Sequence, residues 1–105
     1  MTASPGLLPA SAKESVVQTK KILVSGSTGT TIKVASVVVT SDTAGTVELF
    51  SATQTRWPVY LAIDGTPQFV APLGAFLFSC VEGEDLTFDS DIASDYFIHV
   101  LYQQE

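Results

Sequence analysis

The chain has few of the residues that carry enzyme chemistry. Its 105 residues include one cysteine, Cys80, and one histidine, His99. A single cysteine excludes an intramolecular disulfide and a thiolate metal cluster. A single histidine without a paired nucleophile, and the absence of a Gly-x-Ser-x-Gly turn, argue against a catalytic triad. We therefore expect no enzyme, with no catalytic residue, no metal ligand set and no cofactor.

Basic residues are also few. Five Lys and Arg stand against eleven Asp and Glu, which gives a formal net charge of −6. Since nucleic-acid affinity depends on neutralising phosphates, we expect no nucleic-acid partner. The same charge disfavours an anionic membrane surface. No apolar run approaches the roughly 20 residues of a membrane span, and residues 1–9 lack the basic and apolar regions of a secretory signal. We expect folding in a reducing cytoplasm.

Apolar residues, in contrast, are abundant for so short a chain. Hydrophobic residues make up 46% of it and charged residues only 15%, against roughly 25% charged in a typical soluble domain. A single domain of this size hides only about two thirds of the surface that its unfolded chain exposes. The surplus apolar surface predicts burial against another protein chain.

Short runs of β-branched and aromatic residues, separated by Gly, Asp, Ser, Thr and Pro, repeat from residue 15 onward. This spacing is typical of a sandwich or barrel, and no segment shows a capped helical period. We predict an all-β fold, an antiparallel sandwich of about eight strands with a jelly-roll-like arrangement. The predicted strands are 15–24, 30–40, 45–51, 57–64, 67–71, 75–81, 85–89 and 95–103.

Residues 1–14 differ from this domain of residues 15–105. Pro5, Gly6 and Pro9 exclude a helix or a central strand. The segment is either a frayed terminus or an extended arm whose Leu7 and Leu8 dock on a neighbouring subunit.

Two predicted strands are apolar on both faces. A strand of this kind is buried on both sides, and with no helix to cover the second side we expect a neighbouring subunit there. The candidate contact residues are Phe76, Phe78, Phe97, His99 and Leu101. If the assignment of faces is inverted, Tyr96, Ile98 and Val100 take that role.

Other features have a structural and a functional interpretation. His99 is expected to be a packed imidazole, but at a symmetric interface its protonation near pH 6 would loosen assembly. The carboxylates Asp89, Asp91 and Asp95 are expected to be solvated turn residues; the alternative, a Ca²⁺ site, lacks the glycine and terminal glutamate of an EF-hand loop. Cys80 is expected to be a small buried side chain.

Trp57 also has two interpretations. It shares its face of the predicted strand with Val59, Leu61 and Ile63, which places it in the core. Together with Arg56 and Tyr60 it could instead form a platform on which a sugar stacks.

The stretch from Val37 to Tyr102 resembles small virion proteins of tailed bacteriophages. The resemblance consists of a Gly-Thr-Val-x-Leu strand at 45–49, a Pro-containing apolar strand at 57–61, a Pro-x-Gly turn feeding an aromatic strand at 72–76, and an aromatic C-terminal strand. It implies a jelly-roll decoration or cement protein, a homotrimer that binds the major capsid protein on the capsid exterior after synthesis in the host cytoplasm. An arm with Leu7 and Leu8 would then reach across coat subunits. The alternative is a carbohydrate- or receptor-binding β-sandwich module of a phage fibre.

Overall fold

The computed structural model describes residues 7–52, 54–61, 68–70 and 75–105. In these ranges the chain is all-β, and none of them contains a helix long and apolar enough to cross a membrane. The strands are β1 Leu8–Glu14, β2 Gln18–Val24, β3 Ile32–Ser41, β4 Gly45–Ser51, β5 Gln54–Leu61, β6 Gln68–Val70, β7 Phe78–Ser79, β8 Leu86–Ser90 and β9 Tyr96–Gln104.

The strands form two antiparallel sheets. The first sheet has the order β1-β9-β3-β6, with the short β7 also paired to β3, and the second sheet has the order β2-β8-β4-β5. The pairs β1·β9, β2·β8, β3·β6 and β4·β5 make one long ribbon folded back on itself. Wrapping that ribbon so that β9 also meets β3, and β8 also meets β4, produces the two Greek keys of a jelly roll. The predicted fold class is confirmed.

The core lies between the two sheets and follows from alternation along the strands. In β9, Tyr96, Ile98 and Val100 are buried, and each faces a buried residue of β3. On the β1 side, Ile98 and Val100 face Ala12 and Ala10. In β4 and β8 the inward residues Leu49 and Phe88 lie directly opposite each other and have no exposed surface. Interdigitation of these two sets of side chains fixes the strand faces, because a one-residue slip would turn every apolar side chain outward.

The predicted N-terminal boundary at residue 14 differs from the structure. Leu8–Glu14 is an edge strand of the sandwich, paired with β9 along its whole length, and not an arm separate from the domain. Proline is tolerated at a sheet edge because its missing N–H can lie on the open side. Ala10 and Ala12 pack against the core, so this strand has an inward face made of small residues that hydrophobicity alone does not reveal.

The predicted strand 75–81 is wrong in extent. Only Phe78–Ser79 pairs with β3, and the residues on either side are not in a strand. Ser51 holds the following segment, since its hydroxyl accepts a hydrogen bond from the Val81 N–H at 2.8 Å and donates one to Glu84 at 2.6 Å. The Leu77 and Cys80 N–H groups still donate to the Val34 and Ile32 carbonyls of β3, each at 2.8 Å, and from Val81 onward the Ser51 side chain takes the place of the predicted ladder.

Candidate functional site

The outer face of the first sheet carries the aromatic and aliphatic residues of β9 that do not enter the core. Phe97 is 37% exposed, and His99 and Leu101 on the same side are half-buried. The Phe97 and His99 rings lie nearly parallel, with centroids 6.2 Å apart. The structure therefore brings together three of the five residues predicted to form a subunit contact.

Neighbouring strands extend this face, and the carboxylate of Glu105, which is paired with Lys33, is the one they bring beside it among the described side chains. Strand register places these residues on the same side: Pro9, Ser11 and Lys13 on β1, and Lys33, Ser36, Val38 and Thr40 on β3. The charge of Lys33 is paired with Glu105 at 2.8 Å. Among the described side chains, the outer face of the first sheet is thus uncharged or slightly positive, on a chain with a net charge of −6.

The outer face of the second sheet has the opposite character. Glu48 lies directly opposite Asp89, and Lys20 contacts Asp89 with both its backbone N–H, at 2.6 Å, and its Nζ, at 2.8 Å. Burial raises the pKa of Asp89, but the two hydrogen bonds from Lys20 and its charge outweigh burial and hold that pKa below its usual value. The Lys20 ammonium also lies 3.8 Å from the centre of the Phe50 ring.

An open cavity of about 220 Å³ lies beside this acidic face, with Val17, Glu48, Asp89 and Asp91 among its lining residues. Asp89 is engaged by Lys20, and the Asp91 carboxylate accepts a hydrogen bond from the Thr46 N–H at 2.7 Å. Two of the carboxylates here, those of Asp89 and Asp91, are thus occupied by the protein's own donors.

Two acidic residues of the turn before β8, Glu84 and Asp85, likewise each have a separate partner. The Asp85 carboxylate accepts a hydrogen bond from the Gly26 N–H at 2.6 Å, and Glu84 accepts one from Ser51. In the described ranges, no three His, Cys, Asp or Glu side chains are grouped so that they could hold a metal ion. The carboxylates tie loops to strands in this part of the molecule.

Phe78 does not join the outer face. It lies opposite the fully buried Val34, packs against the core and stacks on Trp57 at a centroid distance of 6.0 Å. Its assignment to a subunit contact is therefore corrected, because the register of β7 turns it inward. Phe76 precedes β7, is half-buried, and lies 5.7 Å from the Lys33 ammonium.

Trp57 packs against the core, as its shared face with Val59 predicted. Stacked on Phe78, its ring is not presented as a flat surface for a sugar. The alternation of residues along the strand predicted the position of Trp57, and the neighbouring Arg56 did not.

Cys80 lies in the core and is 4% exposed. Burial raises the pKa of its thiol, and the Ser51 hydrogen bond opposes that rise only in part. A thiol that is buried and protonated is a poor nucleophile, so its role is packing.

Exposed hydrophobic residues flank both ends of β1. Leu7 and Leu8 are 50% and 49% exposed at its start, and Val16 and Val17 are 55% and 52% exposed just beyond its end. The two valines were placed inside a predicted strand, so sequence patterning missed their exposure. They lie in the turn between β1 and β2, where the chain leaves one sheet for the other.

A hydrogen-bonded chain holds this turn in place. The Gln18 N–H donates to the Ser90 hydroxyl at 3.3 Å, which lies 2.6 Å from the Tyr96 hydroxyl; Tyr96 in turn donates to the Val16 carbonyl at 3.2 Å. Burial raises the pKa of the Tyr96 phenol. Glu14 adds an ion pair with Lys21. The position of β1 is therefore fixed at its C-terminal end by polar contacts.

Comparisons with protein family models, with curated proteins and with solved structures found no match to this chain.

Proposed function

We propose that this chain is a non-enzymatic virion structural protein, a decoration or cement protein that self-associates and stabilises a phage head by binding the major capsid protein on its exterior. The observation that carries the proposal is the unequal distribution of charge. An acidic jelly roll presents one outer face on which the one described carboxylate, that of Glu105, is paired with Lys33, and that face bears Phe97, His99 and Leu101. The resemblance of residues 37–102 implies a trimer.

Two physical arguments support self-association through the outer face of the first sheet. Copies with a charge of −6 repel each other, and an approach by the second sheet would oppose Glu48 and Asp89 of two chains. Contact through the first sheet opposes no described carboxylate that lacks a lysine partner, since Glu105 is paired with Lys33, and it covers half-exposed apolar side chains. Burying apolar surface contributes about 25 cal/mol per Å² before the costs of association, so a few hundred Å² suffice for a symmetric oligomer.

Coat binding is assigned to the exposed start of β1. Leu7 and Leu8 are each about half exposed, at the edge of the first sheet, where they can reach a neighbouring subunit without disturbing the core. The jelly roll is itself a fold used by viral capsid domains, and also by lectins. The lectin alternative loses support because Trp57 packs against the core.

The proposal is tested on heads of the source virus, purified on a density gradient. Quantitative mass spectrometry should find this chain in a fixed ratio to the coat protein, and mild dissociation should release it while the shell stays closed. Heads that contain coat protein but not this chain would refute the virion role. A chain found only in tail or fibre fractions would transfer support to the receptor-binding alternative.

A further inference from the structure

The open edge of the first sheet has an unusual distribution of residues. Among the described residues, β1 is paired on one side only, with β9. Of the seven large hydrophobic side chains that are exposed in the same ranges, four lie at its ends, namely Leu7, Leu8, Val16 and Val17. Edge strands offer unpaired N–H and C=O groups to another strand, and native proteins either cover them or use them. We infer that β1 pairs with β1 of a second copy across a two-fold axis at Ser11. The inference rests on the proposed self-association and adds a contact to it.

The direction of each residue's backbone along β1 decides which N–H and C=O groups can bond to a second copy. Proline occurs in edge strands with its missing N–H on the open side, so Pro9 directs its backbone toward the edge. The backbone N–H and C=O groups of successive residues in an antiparallel pair point alternately to one side and the other. Those of Ser11 and Lys13 therefore point toward the open edge, as the backbone of Pro9 does. In the two-fold arrangement the Ser11 residues of the two copies exchange both backbone hydrogen bonds. The Lys13 N–H of each copy donates to the Pro9 carbonyl of the other.

The side chains suit this register. The sequence Ala10-Ser11-Ala12 is symmetric about Ser11, so each alanine lies opposite an alanine on the core side and the small serines meet on the outside. Lys13 lies opposite Pro9 of the second copy, which keeps the two lysines at opposite ends of the paired strands. No like charges are opposed, a condition that cross-strand pairs require.

Apolar contacts continue across the joined sheets. Within one chain, Lys13 lies beside Phe97 and Pro9 lies beside Leu101. A row of neighbouring side chains therefore crosses the outer face from one copy to the other. It runs from Phe97 to Lys13, and then to Pro9 and Leu101 of the second copy. In this register Leu8 of one copy lies opposite Glu14 of the other, the last residue of β1 before the turn that carries Val16. The pairing gathers exposed side chains into one patch at each end, which a coat subunit can contact.

The test uses the full chain and two variants, in each of which two copies of the same variant repel each other. Ser11 is exposed, so Ser11→Lys and Ser11→Asp should fold, and each places like charges at the two-fold axis. Mass is measured by light scattering from low micromolar to about 0.1 mM chain, a range over which mass action favours association. Each variant alone should have half the wild-type mass, and an equimolar mixture of the two should regain the wild-type mass. Thr28→Lys, exposed in the loop between β2 and β3, is the matched control and should keep it.

The other outcomes separate this inference from the proposed function. A wild-type chain that is trimeric at every concentration overturns the strand pairing and leaves self-association standing. Variants that keep the wild-type mass, or a mixture that fails to regain it, also overturn the pairing. A wild-type chain that is monomeric throughout overturns both. Circular dichroism of each variant confirms that a change in mass is not unfolding.

Discussion

Removing the Tyr96 hydroxyl should loosen the corner that holds β1. Tyr96 is 2% exposed and Ser90 is 6% exposed, and the hydroxyl oxygens lie 2.6 Å apart. Because the one Tyr96 hydroxyl proton is donated to the Val16 carbonyl, Ser90 donates to Tyr96. In Tyr96→Phe the buried Ser90 hydroxyl therefore loses its acceptor.

The expected loss is about 1.5 kcal/mol, since an unsatisfied buried polar group costs about 1–3 kcal/mol and the more exposed Val16 carbonyl can turn to water. For a domain of this size, that corresponds to a fall in Tm of about 6–12 °C. Thermal and urea unfolding, followed by circular dichroism, measure both quantities. Tyr102→Phe is the control, because the Tyr102 ring also packs against the core and its hydroxyl makes no hydrogen bond within the described ranges.

A double-mutant cycle tests the same reasoning. Ser90→Ala removes the other half of the Ser90–Tyr96 bond, so the loss in the double variant should be smaller than the sum of the single losses by about 1 kcal/mol. Equal stability of Tyr96→Phe and Tyr102→Phe, or full additivity in the cycle, would refute the hydrogen-bonded corner.

Three further predictions concern other parts of the molecule. Asp89→Asn should lower stability at pH 7 by less than about 1 kcal/mol, because its ion pair is partly exposed. Since the folded-state pKa of Asp89 is lowered, the difference from wild type should begin to shrink as the pH falls below about 4 and should be lost as the folded carboxylate protonates. A difference that does not shrink in acid would contradict the ion-pair origin. Gly26→Ala should lower the free energy of unfolding in urea by about 2 kcal/mol or more, because a Cβ there would overlap the backbone of the 83–84 turn. Gly29→Ala should lower it by about 1 kcal/mol, because that position has open space but a φ of +83°. The reverse order of the two losses would contradict this reasoning. Cys80 should resist thiol reagents in the native chain and react fully once unfolded, and rapid native labelling would show that its burial is wrong.

Strand alternation made most of the fold predictable. β4 occurs at the predicted residues 45–51, and β9 is displaced by one residue at each end. The choice of core face for β9 was left open, since Tyr96-Ile98-Val100 and Phe97-His99-Leu101 are both apolar. Contacts with Leu49 and Phe88 across the sandwich are not encoded in one strand's own pattern, so only the packed structure decides it.

The misjudged segments share a physical cause. The inward apolar residues of β1 are alanines, and Pro9 conceals a strand whose stability comes from a ladder with β9. At 75–81 the apolar pattern is real, but Ser51 binds the backbone at Val81 in place of a neighbouring strand. In both cases the deciding partner lies far away in the sequence, beyond the reach of a local pattern.

The solution mass of the full chain tests the central claim most directly. Light scattering at neutral pH should give a fixed multiple of 11.1 kDa, and Leu101→Asp, which introduces a carboxylate on the outer face of the first sheet, should remain folded at a lower mass. A wild-type mass of 11.1 kDa at every concentration would contradict self-association. A Leu101→Asp variant that remains at the full wild-type mass would contradict the assignment of that face.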